Sequence, residues 1–71
     1  MPKVPRDLSH DRLIRFLRRE GWPVVREGAR HTVVGRPGRH VAVPRHSRLD
    51  TGTVAAILRQ CGIDPERWSD I

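Results

Sequence analysis

Apolar residues near the start of the chain recur at the spacing of an α-helix. Leu13, Phe16 and Leu17 fall on one side of such a helix, and arginines occupy the other sides. Ser9 precedes the stretch as a favourable N-cap, and Gly21 follows it as a favourable stop. The pattern therefore predicts a first helix between Ser9 and Gly21.

A second apolar stripe lies near the other end of the chain, with positions at i, i+3, i+4 and i+7. It consists of Val54, Ile57, Leu58 and Cys61. Asp50 or Thr51 is expected to cap this second helix, and Gly62 to end it. A short final helical turn is expected after Asp64, with Pro65 at its first position.

Three short valine-rich stretches lie between the helices. The stretches are residues 22–26, 31–34 and 39–43. Glycine-containing segments at 27–30 and 35–38 separate them, so the pattern predicts a three-stranded antiparallel meander.

The register of the second hairpin is left open by the sequence. A four-residue turn would pair Val33 with His40, whereas a three-residue turn with a bulge would pair Val33 with Val41. A one-residue slip exchanges the two faces of a strand, so the sheet face used by His31 is open as well.

The predicted order is helix, three strands, helix and a short helical turn, an α+β fold. Economical packing places both long helices on one face of the antiparallel sheet and leaves the other face open. With 71 residues, the chain is expected to form a single domain over residues 1–71. Pro2 and Pro5 resist regular structure, so residues 1–7 are expected to form a loose N-terminal arm.

The charge balance is strongly basic, with 14 Lys and Arg residues against 8 Asp and Glu residues and a net charge of +6. All but Lys3 of the basic residues are arginine, whose planar fork binds phosphate in two places. This composition favours a polyanionic partner, most often nucleic acid. A single cysteine, Cys61, and the lack of a long apolar run predict a cytoplasmic protein without membrane association.

Histidines lie among the arginines of residues 28–48, a stretch without any acidic residue. RNA cleavage needs a base for the 2′-OH, an acid for the leaving 5′-oxygen and positive charge around the phosphate. His31, which opens the second strand, is the stronger candidate for proton transfer, and His46 is the weaker one. The competing interpretation of His31 is a surface histidine at a strand end.

Other polar residues of the stretch are candidate RNA contacts. The candidates for phosphate binding are Arg30, Arg36, Arg39, Arg45 and Arg48. His40 is expected to be a cross-strand partner or an RNA contact, and His10 to be solvated in the first helical turn. Arginines crowd the histidines and no carboxylate accompanies them, so neither a metal ion nor another cofactor is expected.

Four segments, in this order, resemble the HicA toxins of bacterial toxin–antitoxin systems. They are "LIRFLRREGWPVVRE", "GARHTVV", "VAVPRHS" and "TGTVAAILRQCGI". The resemblance covers roughly residues 8–63 and implies a double-stranded-RNA-binding-domain-like fold. It also implies metal-independent cleavage of mRNA, with His31 as the catalytic residue and a HicB-type antitoxin as the protein partner.

Two features of the sequence depart from the pattern of that family. Ala29 and Arg30 stand between Gly28 and His31, where many members have Gly-Ser-His. Val34 stands where an aromatic residue is common, which would weaken any stacking on a base.

Two other functions are compatible with the same residues. A non-catalytic RNA-binding module would bind RNA in a salt-dependent way without cutting it. A protein-interaction domain would use its basic face only for an acidic partner and would not bind RNA at physiological salt.

Overall fold

The computed structural model describes residues 8–71, and the predicted N-terminal arm lies outside the described residues. Its elements are α1 (His10–Arg19), β1 (Val24–Glu27), β2 (His31–Arg36), β3 (Arg39–Pro44), α2 (Thr51–Gln60) and a final 3-10 helix (Pro65–Asp70). The predicted order and the α+β class are confirmed. None of the helices within residues 8–71 is long and apolar enough to cross a membrane.

Local side-chain chemistry explains where the two long helices begin and end. The Ser9 hydroxyl accepts a hydrogen bond from the Arg12 N–H at 3.2 Å. Asp50, rather than Thr51, caps α2 through a 2.7 Å bond from the Thr53 N–H. Gly21 follows α1 with φ +90°, a left-handed conformation that glycine adopts without strain.

The three strands form one antiparallel sheet in the order β1–β2–β3. In the second hairpin Val33 lies opposite Ala42 and Val34 opposite Val41, so neither of the two expected registers is observed. Only Pro37 and Gly38 form the turn. Proline fixes φ at the first turn position and Gly38 has φ +78°, a combination typical of a type II turn. Because the turn has only two residues, β2 extends to Arg36 and β3 begins at Arg39.

This register determines which side chains face the helices. The strand side chains buried against the helices are those of Thr32, Val34, Val41 and Val43. They pack with Leu13, Phe16 and Leu17 of α1 and with the apolar stripe of α2 in one core. His31 and His40 alternate with these buried positions and consequently lie on the open face of the sheet.

Candidate functional site

His31 is the first residue of β2 and is exposed at the edge of the open sheet face. Its partner across the hairpin is Pro44, the last residue of β3. The backbone of His31 is therefore fixed by the sheet, while its imidazole is accessible to a ligand.

Backbone hydrogen bonds hold two arginine-bearing segments beside His31. The Gly28 N–H donates to the His31 carbonyl at 2.8 Å, which closes the tight loop before β2. The Arg45 N–H donates to the Arg30 carbonyl at 2.9 Å, and the Arg45 guanidinium donates to the Gly28 carbonyl at 3.3 Å. Arg30 and Arg45 are thus brought to the same end of the sheet as His31.

The loop between β3 and α2 carries His46 and Arg48, both exposed. A 2.8 Å bond from the Leu49 N–H to the Leu8 carbonyl anchors the end of this loop. The pKa of Asp50 lies below its ordinary value, chiefly because Thr53 donates hydrogen bonds to the carboxylate. His46 directly follows Arg45 and precedes Asp50, the N-cap of α2, by four residues.

The other predicted contacts lie at the opposite end of the hairpin. β2 spans six residues, so Arg36 is about 17 Å along the strand from His31. Arg39 donates a 2.9 Å hydrogen bond to the Gln60 carbonyl at the end of α2, and the Arg36 guanidinium lies 5.7 Å from the centre of the Trp22 ring. The structure does not bring these arginines together with His31.

His40 covers a glycine on the open face. It lies opposite Gly35, and a Cβ added to Gly35 would stand 2.6 Å from Cδ2 of the His40 ring and 3.2 Å from Cγ1 of Val25. The absence of a side chain at Gly35 is what allows the imidazole to lie flat across the strand. This packing gives His40 a cross-strand structural role.

Arg26 is a neighbour of His31 that the sequence analysis missed. Arg26 lies in β1 opposite Val33 of β2, on the open face. His31 precedes Val33 by two residues in β2 and is therefore the diagonal neighbour of Arg26. Such diagonal neighbours are about 7–8 Å apart, within reach of a long side chain. Only the sheet register reveals this relationship, because nothing in the local sequence distinguishes Arg26 from other exposed arginines.

The expectation for His10 was wrong, because its ring is largely buried rather than solvated. Its side chain is 12% exposed, and Nε2 lies 2.7 Å from the hydroxyl oxygen of Thr32, itself 1% exposed. Nδ1 lies 2.9 Å from a carboxylate oxygen of Asp11. The Asp11–His10–Thr32 chain ties the start of α1 to the strand residue after His31.

The chemistry available at this end of the sheet is proton transfer beside positive charge. His31 supplies an accessible imidazole. Arg26 shares its sheet face, and Arg30 and Arg45 lie at the same end of the sheet. Within the described residues, no group of three or more His, Cys, Asp and Glu side chains is arranged to hold a metal ion.

Residues 11–63, most of the chain, match the family of HicA toxins of bacterial toxin–antitoxin systems. Searches of curated proteins and of solved structures gave no significant match.

Proposed function

We propose that this chain, which belongs to the HicA toxin family of bacterial toxin–antitoxin systems, acts as a toxin by cutting mRNA. The observation that carries the proposal is the position of His31. It is exposed at a fixed strand end, and hydrogen bonds between neighbouring loops hold Arg30 and Arg45 beside it.

The proposed reaction is attack of a ribose 2′-oxygen on the adjacent phosphorus, with cleavage of the bond to the 5′-oxygen. His31 takes the proton from the 2′-OH or gives one to the leaving oxygen. His46, in the neighbouring loop, is the candidate for the second proton transfer. The products are a 2′,3′-cyclic phosphate, or the 3′-phosphate formed from it, and a 5′-OH.

Positive charge around the phosphate stabilises the developing phosphorane. Arg30 and Arg45 supply it in this proposal, and Arg26 adds a third guanidinium from β1. Arg48 lies further along the loop from His46, where it suits a neighbouring phosphate.

The residues at the far end of the hairpin are proposed to bind RNA away from the cleaved phosphate. Arg36, Arg39 and His40 are too distant to touch the phosphate that His31 cleaves, as the length of β2 indicates. They therefore contribute to RNA binding only through nucleotides that flank the cleaved bond.

Membership of this family gives the toxin an antitoxin as its partner. We propose a HicB-type antitoxin that covers His31 with an acidic segment. Such a segment would complement the arginines and block access of RNA to the imidazole.

Cleavage assays in EDTA test the proposed reaction. The protein should cut single-stranded RNA but not DNA of the same sequence, because DNA lacks the 2′-OH nucleophile. End-group analysis should find a 2′,3′-cyclic phosphate or 3′-phosphate and a 5′-OH. Binding without cleavage would instead indicate a non-catalytic RNA-binding module, and no RNA binding at physiological salt would indicate a domain that contacts only an acidic protein.

A further inference from the structure

The outer side of α1 carries four arginines around one groove of about 490 Å³. The groove is lined by Arg12, Arg15, Arg18, Arg19 and Ile71. α1 has ten residues and is about 15 Å long, so four positive charges lie within that distance.

No described carboxylate neutralises the positive charge of these arginines, so the charge is available to a ligand. Arg15 and Arg18 form no side-chain hydrogen bond or ion pair within residues 8–71, whereas Arg12 and Arg19 donate to the backbone oxygens of Ile71 and Asp70 at 2.8 and 3.3 Å. Arg67 forms ion pairs with Glu20, which follows Arg19 in the chain, and with Asp70, whose backbone oxygen accepts from Arg19. No described carboxylate side chain forms an ion pair with the four arginines of α1.

Arg15 connects this groove with the His31 end of the sheet. It also lines a cleft of about 370 Å³, whose other lining residues include Arg45 and Thr32. Asp11 and Glu27 line the same cleft, so its two arginines are balanced by two carboxylates. The cleft therefore suits an uncharged sugar or base, while the α1 groove suits phosphate.

We propose that the α1 groove binds backbone phosphates of the RNA on one side of the bond that is cut. The inference deepens the proposed function and rests on it. From the phosphate at His31, the RNA would pass Arg45 and place a sugar or base in the cleft. Its next phosphates would reach the guanidinium groups of α1. The proposed RNA-binding surface thus extends from the open sheet face to the outer side of α1.

Salt-dependent RNA binding tests the groove independently of catalysis. We would measure the affinity of single-stranded RNA for His31→Ala protein, with and without Arg15→Gln/Arg18→Gln, over a range of salt concentrations. The slope of log affinity against log salt concentration is negative. Its magnitude should fall by about 0.7 for each phosphate that the protein no longer neutralises, or by about 1.4 for the double variant. Arg18→Gln alone should reduce the magnitude of the slope by about 0.7.

A short substrate separates the groove from the catalytic residues. In protein with His31 intact, Arg18→Gln, which changes the groove but not the cleft, should cleave a dinucleotide at the parent rate, because that substrate is too short to reach Arg18. Its cleavage of a longer RNA at subsaturating concentration should be slower than that of the parent.

Two results would overturn the proposal. One is an unchanged salt slope in the double variant. The other is a loss of antitoxin binding with unchanged RNA binding, which would assign the groove to an acidic protein. A parent protein that binds RNA without cutting it would refute the proposed catalysis while leaving the groove's contribution to the slope measurable.

Discussion

The guanidinium of Arg45 donates a hydrogen bond to the backbone carbonyl of Gly28 across 3.3 Å, from the exit of β3 to the loop that precedes β2. This bond orients the arginine at the His31 end of the sheet, where the proposed mechanism needs positive charge. Arg45→Ala should therefore lower single-turnover RNA cleavage by about 10²-fold, the usual effect of removing one donor to a transition-state oxygen.

Arg48→Ala provides the matched control for Arg45, because Arg48 is an exposed arginine of the same loop. Its effect on cleavage should be clearly smaller, and neither variant should change the melting temperature much. An Arg45→Ala protein that cleaves at the parent rate would remove Arg45 from the site.

The bond between His10 and Thr32 should matter for stability. His10→Ala leaves the buried Thr32 hydroxyl without its partner, so we expect a loss of about 1–3 kcal/mol in the free energy of unfolding. Adding Thr32→Val removes the unpaired hydroxyl, and the double variant should lose less than the sum of the two single changes. Denaturant unfolding measures both effects, with His46→Ala as an exposed histidine control; equal losses for His10→Ala and His46→Ala would contradict the assignment.

The packing of His40 across Gly35 predicts a coupled pair of substitutions. Gly35→Ala pushes a methyl group against the His40 ring and Val25, which should cost about 1–3 kcal/mol of stability. With His40→Ala the ring is absent, so the double variant should be more stable than the sum of the single losses predicts. Strict additivity in denaturant unfolding would show that the ring does not lie against Gly35.

The carboxylate of Asp50 should make stability depend on pH. Its pKa is lower in the folded protein, so the stability that ionised Asp50 contributes is fully present above the unfolded pKa and is lost as the pH falls through the folded pKa. Asp50→Ser keeps a capping oxygen but removes the titration. The difference in unfolding free energy between parent and Asp50→Ser should be constant above about pH 5 and shrink below about pH 4; a difference that is independent of pH would contradict this role.

Features that depend on neighbouring residues were predictable from the sequence. The apolar stripe of α2, the Ser9 cap and the stop at Gly21 all follow from spacing within a few residues, and the structure confirms them. The order of the elements followed in the same way, because each element carries its own periodicity and boundary residues.

Features that depend on distant residues were not predictable. The Pro37–Gly38 turn permits a tighter hairpin than either expected register, and this shift decides that Val34 lies opposite Val41. His10 and Thr32 are 22 positions apart, so their bond appears only once α1 is packed on the sheet. Arg26 likewise becomes a neighbour of His31 only through the pairing of β1 with β2.

The most direct test of the account is the single-turnover rate of RNA cleavage in EDTA for the parent, His31→Ala and His40→Ala proteins. Both histidines lie on the open sheet face, and only His31 is assigned proton transfer. The account predicts that His31→Ala abolishes cleavage while RNA binding and the folded state persist, and that His40→Ala retains cleavage. Cleavage by His31→Ala at the parent rate would contradict the central claim.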